Sequence, residues 1–173
     1  MSIMRQLRIE KVTLNIGIGQ AGDNLEKAAK LLKALTNKKP IQTKTQKRVP
    51  TWGLRPGLPI GCKVTLRKKE AEELLKRLFS AVENKLNPKN FDKEGNFSFG
   101  IKEYIDIPEA EYDPQIGIIG LEAAVTLGRP GFRIKRRKVK TKKIPSRNRI
   151  PKEEAIKFVE EKFKVKVGGD EEK

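Results

Sequence analysis

Between Lys38 and Lys69 the chain reads KKPIQTKTQKRVPTWGLRPGLPIGCKVTLRKK, 32 residues with ten lysines and arginines and no carboxylate. A segment that cannot pair its charges internally has to lie on a surface, as strands with one exposed face or as loop. Its centre, VPTWGLRPGLP, sets the only tryptophan, Trp52, among prolines and glycines, the composition of a projecting loop. On either side, apolar and polar residues alternate with the period of a half-buried strand. Two readings are open here. A large aromatic in a purely cationic loop suits a polyanion that carries flat bases, but a solvated basic surface with a half-buried tryptophan has the same composition.

The rest of the chain leans the same way. Its 173 residues suffice for one domain, or one domain with extensions, around a real core. Charged residues make up 35% and the net charge is +17, more than solubility needs, so the expected partner is a strong anion: nucleic acid or an acidic membrane surface. The single Cys62 leaves no internal disulfide and argues against an oxidising compartment. No apolar run approaches the roughly 20 residues of a membrane span, and the opening MSIMRQLRIE lacks the apolar stretch of a secretion signal. The expectation is a cytoplasmic protein associated with nucleic acid. Its charge is sorted: eight acids against Lys93 and Lys102 between Asp92 and Glu122, then eleven basic residues and no acid between Arg129 and Arg149. A disordered polycation would not show that segregation.

Val12, Leu14, Ile16 and Ile18 alternate with polar residues, a first strand. Asp23-x-x-Glu26 reads as a capping box opening a helix whose stripe is Leu25, Ala28, Ala29, Leu32 and Leu35. Ile41 to Gln46 reads as a second strand, and Ile60, Cys62, Val64 and Leu66 mark the clearest strand in the sequence. A second helix is predicted from Glu70 to about Leu86, stopped by Asn87-Pro88. Phe97, Phe99 and Ile101, then Leu121, Ala123, Val125 and Leu127, mark two further strands. Pro151 as first helical residue, with Glu153 and Glu154 in the first turn, opens a third helix, and Lys164 to Val167 reads as a short returning strand. The predicted class is α+β: an open, mostly antiparallel sheet with helices packed on one face, plus a basic arm and a mobile C-terminal tail. The partition is one domain, with a sheet-and-helix core over 1–128, the arm over 129–150, the last helix and strand over 151–167 and the tail over 168–173.

The uncovered side of that sheet is expected to present Lys11, Thr13, Asn15, Gln42, Lys44, Gln46, Lys63, Thr65 and Arg67, none of them acidic. Short donors and cations on a flat surface can follow a sugar-phosphate backbone and its 2′-hydroxyls, and the lack of acids favours RNA over an ordinary wet face. The tract GRPGFRIKRRKVKTKK, with Arg133, Lys135, Arg136, Arg137 and Lys138 at its centre, is too cationic to pack. It reads as an arm ordered by RNA phosphates and disordered when free. Phe132, Ile134 and Val139 hardly supply the apolar face that membrane adsorption needs.

Other motifs point elsewhere. Gly17-x-Gly19-x-x-Gly22 between a strand and a helix fits a dinucleotide fingerprint, but the acid expected about 20 residues on would fall in the acid-free stretch. A tight turn, or amides approaching a phosphate, are the other readings. Phe97 and Phe99 share a face with Ile101, which suits core packing rather than base stacking. Cys62 sits on the apolar side of its strand and reads as an inert thiol. With one cysteine and no histidine, a zinc site or a Cys-His nucleophile fails on ligand count. The carboxylate pairs Glu72/Glu73 and Glu153/Glu154 fall on polar helix faces. No cofactor and no metal is expected.

VTLNIGIGQA, KPIQTKTQKRV, PIGCKVTLR, FDKEGNFSFGIKEY and IPEAEYDP, in that order, resemble the universal large-subunit ribosomal protein of the L-five family. The basic stretch after GRPGF and the closing KEEAIKFVEEKFKVKV are similar to its archaeal-type branch. The resemblance covers nearly the whole chain. It implies a structural protein, not an enzyme, that binds 5S rRNA, helps anchor it to the large-subunit rRNA in the central protuberance, and sits in the cytoplasmic ribosome. By position it implies that Asn15 and Thr65 lie on the RNA-facing sheet, and that Thr51, Trp52, Gly53, Leu54 and Arg55 lie on a loop reaching toward peptidyl-site tRNA. It also implies contact with neighbouring ribosomal proteins, including a small-subunit head protein. Asn37-Lys38 stands where relatives usually carry Gly-Gln. A nucleotide-cofactor enzyme using the glycine loop and a free-standing RNA chaperone are the competing functional classes.

Overall fold

The computed structural model describes residues 3–19 and 22–168. Its main strands are β1 (Arg8–Gly17), β2 (Ile41–Lys44), β3 (Pro59–Leu66), β5 (Phe97–Ile101) and β6 (Leu121–Gly128). They form one open antiparallel sheet in the order β2-β3-β1-β6-β5. Helices α1 (Asp23–Thr36), α2 (Lys68–Ala81) and α3 (Lys152–Phe163) accompany them, and a two-residue pair, β4 (Lys85–Leu86) with β7 (Lys166–Val167), is parallel. The predicted class holds. Residues 169–173, where a mobile tail is expected, lie outside the described residues.

Alternation decides which side is buried. Val12, Leu14 and Ile16 of β1 pair with Val125 and Ala123 of β6 and with Val64 and Cys62 of β3, and all are buried. Directly opposed residues share a face, so these strands present one continuous apolar surface. Leu25, Ala28 and Leu32 of α1 and Leu74, Leu75 and Leu78 of α2 complete the core. At the β5 end, Phe79 of α2 lies 6.2 Å from Phe97, 5.5 Å from Phe99 and 5.3 Å from Phe163 between ring centroids, which ties two helices to the sheet. Phe97 and Phe99 are therefore core residues, as their shared face with Ile101 suggests.

Local geometry corrects several predicted boundaries. No capping box forms: Gly22 occupies the N-cap with φ 141° and ψ −162°, a region open essentially only to glycine, and Asp23 is the first helical residue. Asp23 and Glu26 still favour the positive end of the helix. Helix α2 starts at Lys68 and ends at Ala81, short of the predicted Leu86, because Glu83 and Asn84 turn left-handed with φ 51° and 55°. The Asn84 amide then donates to the Phe79 carbonyl, and Leu86 reaches the core from β4 instead of the helix. Pro151 caps α3 rather than opening it, and Glu153 and Glu154 fill its first turn as expected.

Candidate nucleic-acid interface

All three helices lie on one side of the sheet, so the other side is open. In the central row Glu122, Asn15, Lys63 and Ile41 stand side by side on β6, β1, β3 and β2, and Ala124, Thr13 and Thr65 form the next row. Thr13 and Thr65 bring their hydroxyls to 3.4 Å. The Asn15 amide donates to Glu122 at 3.3 Å. Lys63 and Lys44 are exposed, and among the described residues neither has a carboxylate at ion-pair distance. Lys11, Thr13, Asn15, Lys63, Thr65 and Arg67 thus share one surface, as predicted.

Three other expectations for this face need correction. Gln42 is paired with Cys62, a core residue, so it lies on the helix side; the open face of β2 carries Ile41 and Thr43. A register shift between Thr43 and Lys44 breaks the alternation at Lys44, and the strand ends there, leaving Gln46 in the following loop. The face is also not free of acid. Glu122 belongs to its central row, and an irregularity between Ile9 and Lys11 brings the Glu10 carboxylate against Arg136 and within 3.8 Å of Arg67. Both acids are engaged by neighbouring donors.

The loop between β2 and β3 is stapled at its base. Thr45 donates its amide to the Leu58 carbonyl and its hydroxyl to the Arg55 carbonyl at 2.8 Å, and Val49 pairs with Leu54. Leu54 is half-buried in that bridge, whereas Thr51, Gly53 and Arg55 are exposed and Trp52 is 74% exposed. Gly53, at φ 65°, takes the left-handed position that turns the chain after the tryptophan. A large aromatic held out on a stapled cationic loop is a ready stacking or packing element.

The basic segment packs, contrary to the reading that it is too cationic to do so. Arg129 is buried and donates to Glu154 of α3. Phe132 packs against the core, Lys135 lies 3.5 Å from Glu94, and Arg136 meets Glu10. Arg137 donates to the Lys140 carbonyl at 2.8 Å. Arg133 and Lys138 are exposed, and among the described residues neither has an ion-pair partner. Sequence reasoning misses Glu10 and Arg129. The only cue for Arg129 is its place as the last residue before a Pro-Gly turn.

At the start of the glycine loop the amides of Ile18 and Gly19 both donate to the Ile60 carbonyl at 2.9 Å, so neither is turned toward a phosphate; Gln20 and Ala21 lie outside the described residues. Cys62 is fully buried, its thiol 3.6 Å from the Leu25 carbonyl, and burial pushes its pKa up, the profile of an unreactive cysteine.

The sequence matches the family description "Ribosomal protein L5" over residues 2–55, and the description of the same ribosomal family's C-terminus over residues 59–158. The chain belongs to the ribosomal protein L5 family. It is 54% identical over 165 residues to the large ribosomal subunit protein uL5 of Nanoarchaeum equitans, covering 95% of this chain and 97% of that one. Against the proteins of the same name from Sulfurisphaera tokodaii and Methanosphaera stadtmanae it is 50% and 44% identical, over 95% and 96% of this chain and 93% and 99% of theirs. L5 proteins are structural components of the large ribosomal subunit and not enzymes, so the chain's setting is the cytoplasmic ribosome, among rRNA and other ribosomal proteins.

Proposed function

We propose that the open sheet face and the arm bind 5S rRNA and help attach it to the large-subunit rRNA in the central protuberance. The observation that carries this reading is the surface made by Lys11, Thr13, Asn15, Lys63, Thr65 and Arg67, with the arm's cations beside it. Hydroxyls, an amide and flexible cations supply donors for phosphates and 2′-hydroxyls without a deep pocket, which suits shape-led recognition of RNA. Arg133, Lys135, Arg136, Arg137 and Lys138 add phosphate neutralisation. Lys44 and Gln46 contribute from the end of the edge strand and the adjoining loop, and Gln42, on the helix side, takes no part.

The loop bearing Thr51, Trp52, Gly53, Leu54 and Arg55 is the element proposed to approach peptidyl-site tRNA. The segment from Glu103 to Ile118, acidic and with Ile105, Tyr112 and Ile118 exposed, repels RNA and suits a basic protein neighbour; a small-subunit head protein fits that description.

The test is affinity for 5S rRNA against an unrelated stem-loop across a salt series. The proposal expects selectivity that survives as salt rises. Equal affinity for both RNAs, falling about 10³-fold or more between 50 and 200 mM salt on the duplex-DNA scale for about six phosphate contacts, would mark a general RNA chaperone instead.

A further inference from the structure

Where the arm folds back over the end of the open face, a cleft of about 720 Å³ remains between arm and sheet. Its apolar wall is offered by the half-buried Phe132 and Ile144, with the buried core residues Leu127 and Ile150 also in its lining. Lys11, Lys142, Lys143 and Arg149 stand around it, and among the described residues none of the four has a carboxylate at ion-pair distance. Asn96 and Thr126 add polar groups; the Asn96 NH2 donates to Asp92, which leaves its carbonyl oxygen as an acceptor. We propose that this cleft takes one unstacked RNA nucleotide, the base against the apolar wall and the phosphate among the four cations.

The proposal rests on the reading of this face as an RNA interface and deepens it. Pockets that enclose a small organic ligand run from about 300 to 1,000 Å³, so the cleft admits a nucleotide but no helix. Unstacked bases are what proteins capture when they read RNA beyond its shape, with an apolar surface for the ring and a few acceptors and donors for its edge. Binding of a phosphate alone would make no use of the apolar wall. Two carboxylates hold the cleft in shape: Glu10 grips Arg136 and Glu94 lies 3.5 Å from Lys135. A Cβ at Gly128 would stand 3.2 Å from the Glu10 carboxylate, so the glycine leaves room for that grip. These acids, which look misplaced on an RNA-binding surface, pre-organise the arm before RNA arrives.

The experiment is an amide NMR titration of the full chain with the four nucleoside 5′-monophosphates, against inorganic phosphate and ribose 5-phosphate. The expected result is saturation by at least one nucleotide about tenfold more tightly than by phosphate, with shifts confined to the arm, the adjoining ends of β1 and β6, and residues 94–96 ahead of β5. Thr126→Trp, which fills the cleft, should abolish that preference. Should the tryptophan variant fail to fold, Lys142→Ala with Arg149→Ala, both at exposed positions, should weaken nucleotide binding by a similar factor. Equal binding of nucleotides and phosphate, or nucleotide affinity unmoved in a folded variant, overturns the proposal. The titration needs no ribosomal RNA. Its failure alongside intact selective 5S rRNA binding removes the cleft and leaves the interface; loss of 5S selectivity with nucleotide binding intact does the reverse.

Discussion

Arg129 and Glu154 offer the sharpest test of how the arm is fastened, because the pair closes the excursion between β6 and α3 and its two ends are unequally buried. The Arg129 side chain is 9% exposed and that of Glu154 40%. Removing one member of a buried pair costs about 3–5 kcal/mol when the survivor is stranded without solvent. Here only the arginine can be stranded. Glu154→Ala leaves a guanidinium buried without its anion and should cost about 3 kcal/mol. Arg129→Met keeps most of the packing and leaves a carboxylate that water can reach, so the loss should be about 1 kcal/mol. Among the described residues the buried Arg129 Nε has no hydrogen-bond partner even in the intact pair, which lowers what the arginine contributes and holds its replacement at that small figure. Urea denaturation with a slope near 2 kcal/mol/M would read these as midpoint shifts of about 1.5 M and about 0.5 M. The double variant should lie close to Arg129→Met, about 2 kcal/mol more stable than Glu154→Ala alone, since removing the arginine removes the stranded charge. Equal single losses, or a double variant as weak as Glu154→Ala, would show that water reaches Arg129 and that the fastening lies elsewhere.

Four further outcomes follow from the same geometry. Asn15→Ala with Thr65→Ala should weaken 5S rRNA binding while leaving the urea midpoint nearly unchanged, because both side chains look away from the core; unchanged affinity would remove the sheet face from the interface. Trp52→Ala should preserve 5S rRNA binding and reduce tRNA occupancy of the peptidyl site in reconstituted ribosomes, and loss of 5S binding would reassign the loop. Phe79→Ala, which empties the centre of the aromatic cluster, should cost about 3–5 kcal/mol in chemical denaturation; a loss under about 1 kcal/mol would mean the cluster repacks. Cys62 should resist iodoacetamide until the chain unfolds. Because burial raises its folded pKa above the ordinary thiol value of 9.0, its contribution to stability is intact below that pH and is lost as pH rises through the folded pKa. Cys62→Ala should remove that alkaline loss, and an unaltered pH profile would count against it.

Much of this architecture is legible in the sequence wherever one face of an element is fully buried. β1, β3, β5 and β6 alternate because helices cover one side, and the predicted core residues of β3, β5 and β6 are buried except for Ile60, which is half-buried near the start of β3. Helix ends are harder to place. A capping box is a statement about side-chain preference, and it yields to a glycine one residue earlier whose backbone no other residue could adopt. Leu86 continues the helical stripe of α2, yet the chain leaves the helix at Val82 and returns Leu86 to the core from a strand, so the apolar spacing survives a change of structure. The arm's cationic character is plain, but its docking depends on Glu10, Glu94 and Glu154, which are distant in sequence and chosen only by the tertiary fold.

The misassigned residues of the open face fail for two separable reasons. β2 is a four-residue edge strand whose side chains are all exposed or half-buried, so no hydrophobic pattern fixes its register; only pairing with β3 does, and that pairing puts Ile41 rather than Gln42 beside Lys63. Glu10 fails differently. Counting by twos from Val12 would send it into the core, where a carboxylate is intolerable, and the chain resolves the conflict with an irregularity between Ile9 and Lys11 that delivers the acid to the arm's arginine. A carboxylate at a position that strict alternation marks as interior is therefore a sequence signal in its own right: it predicts a bulge, and at the end of that bulge a cation drawn from elsewhere in the chain.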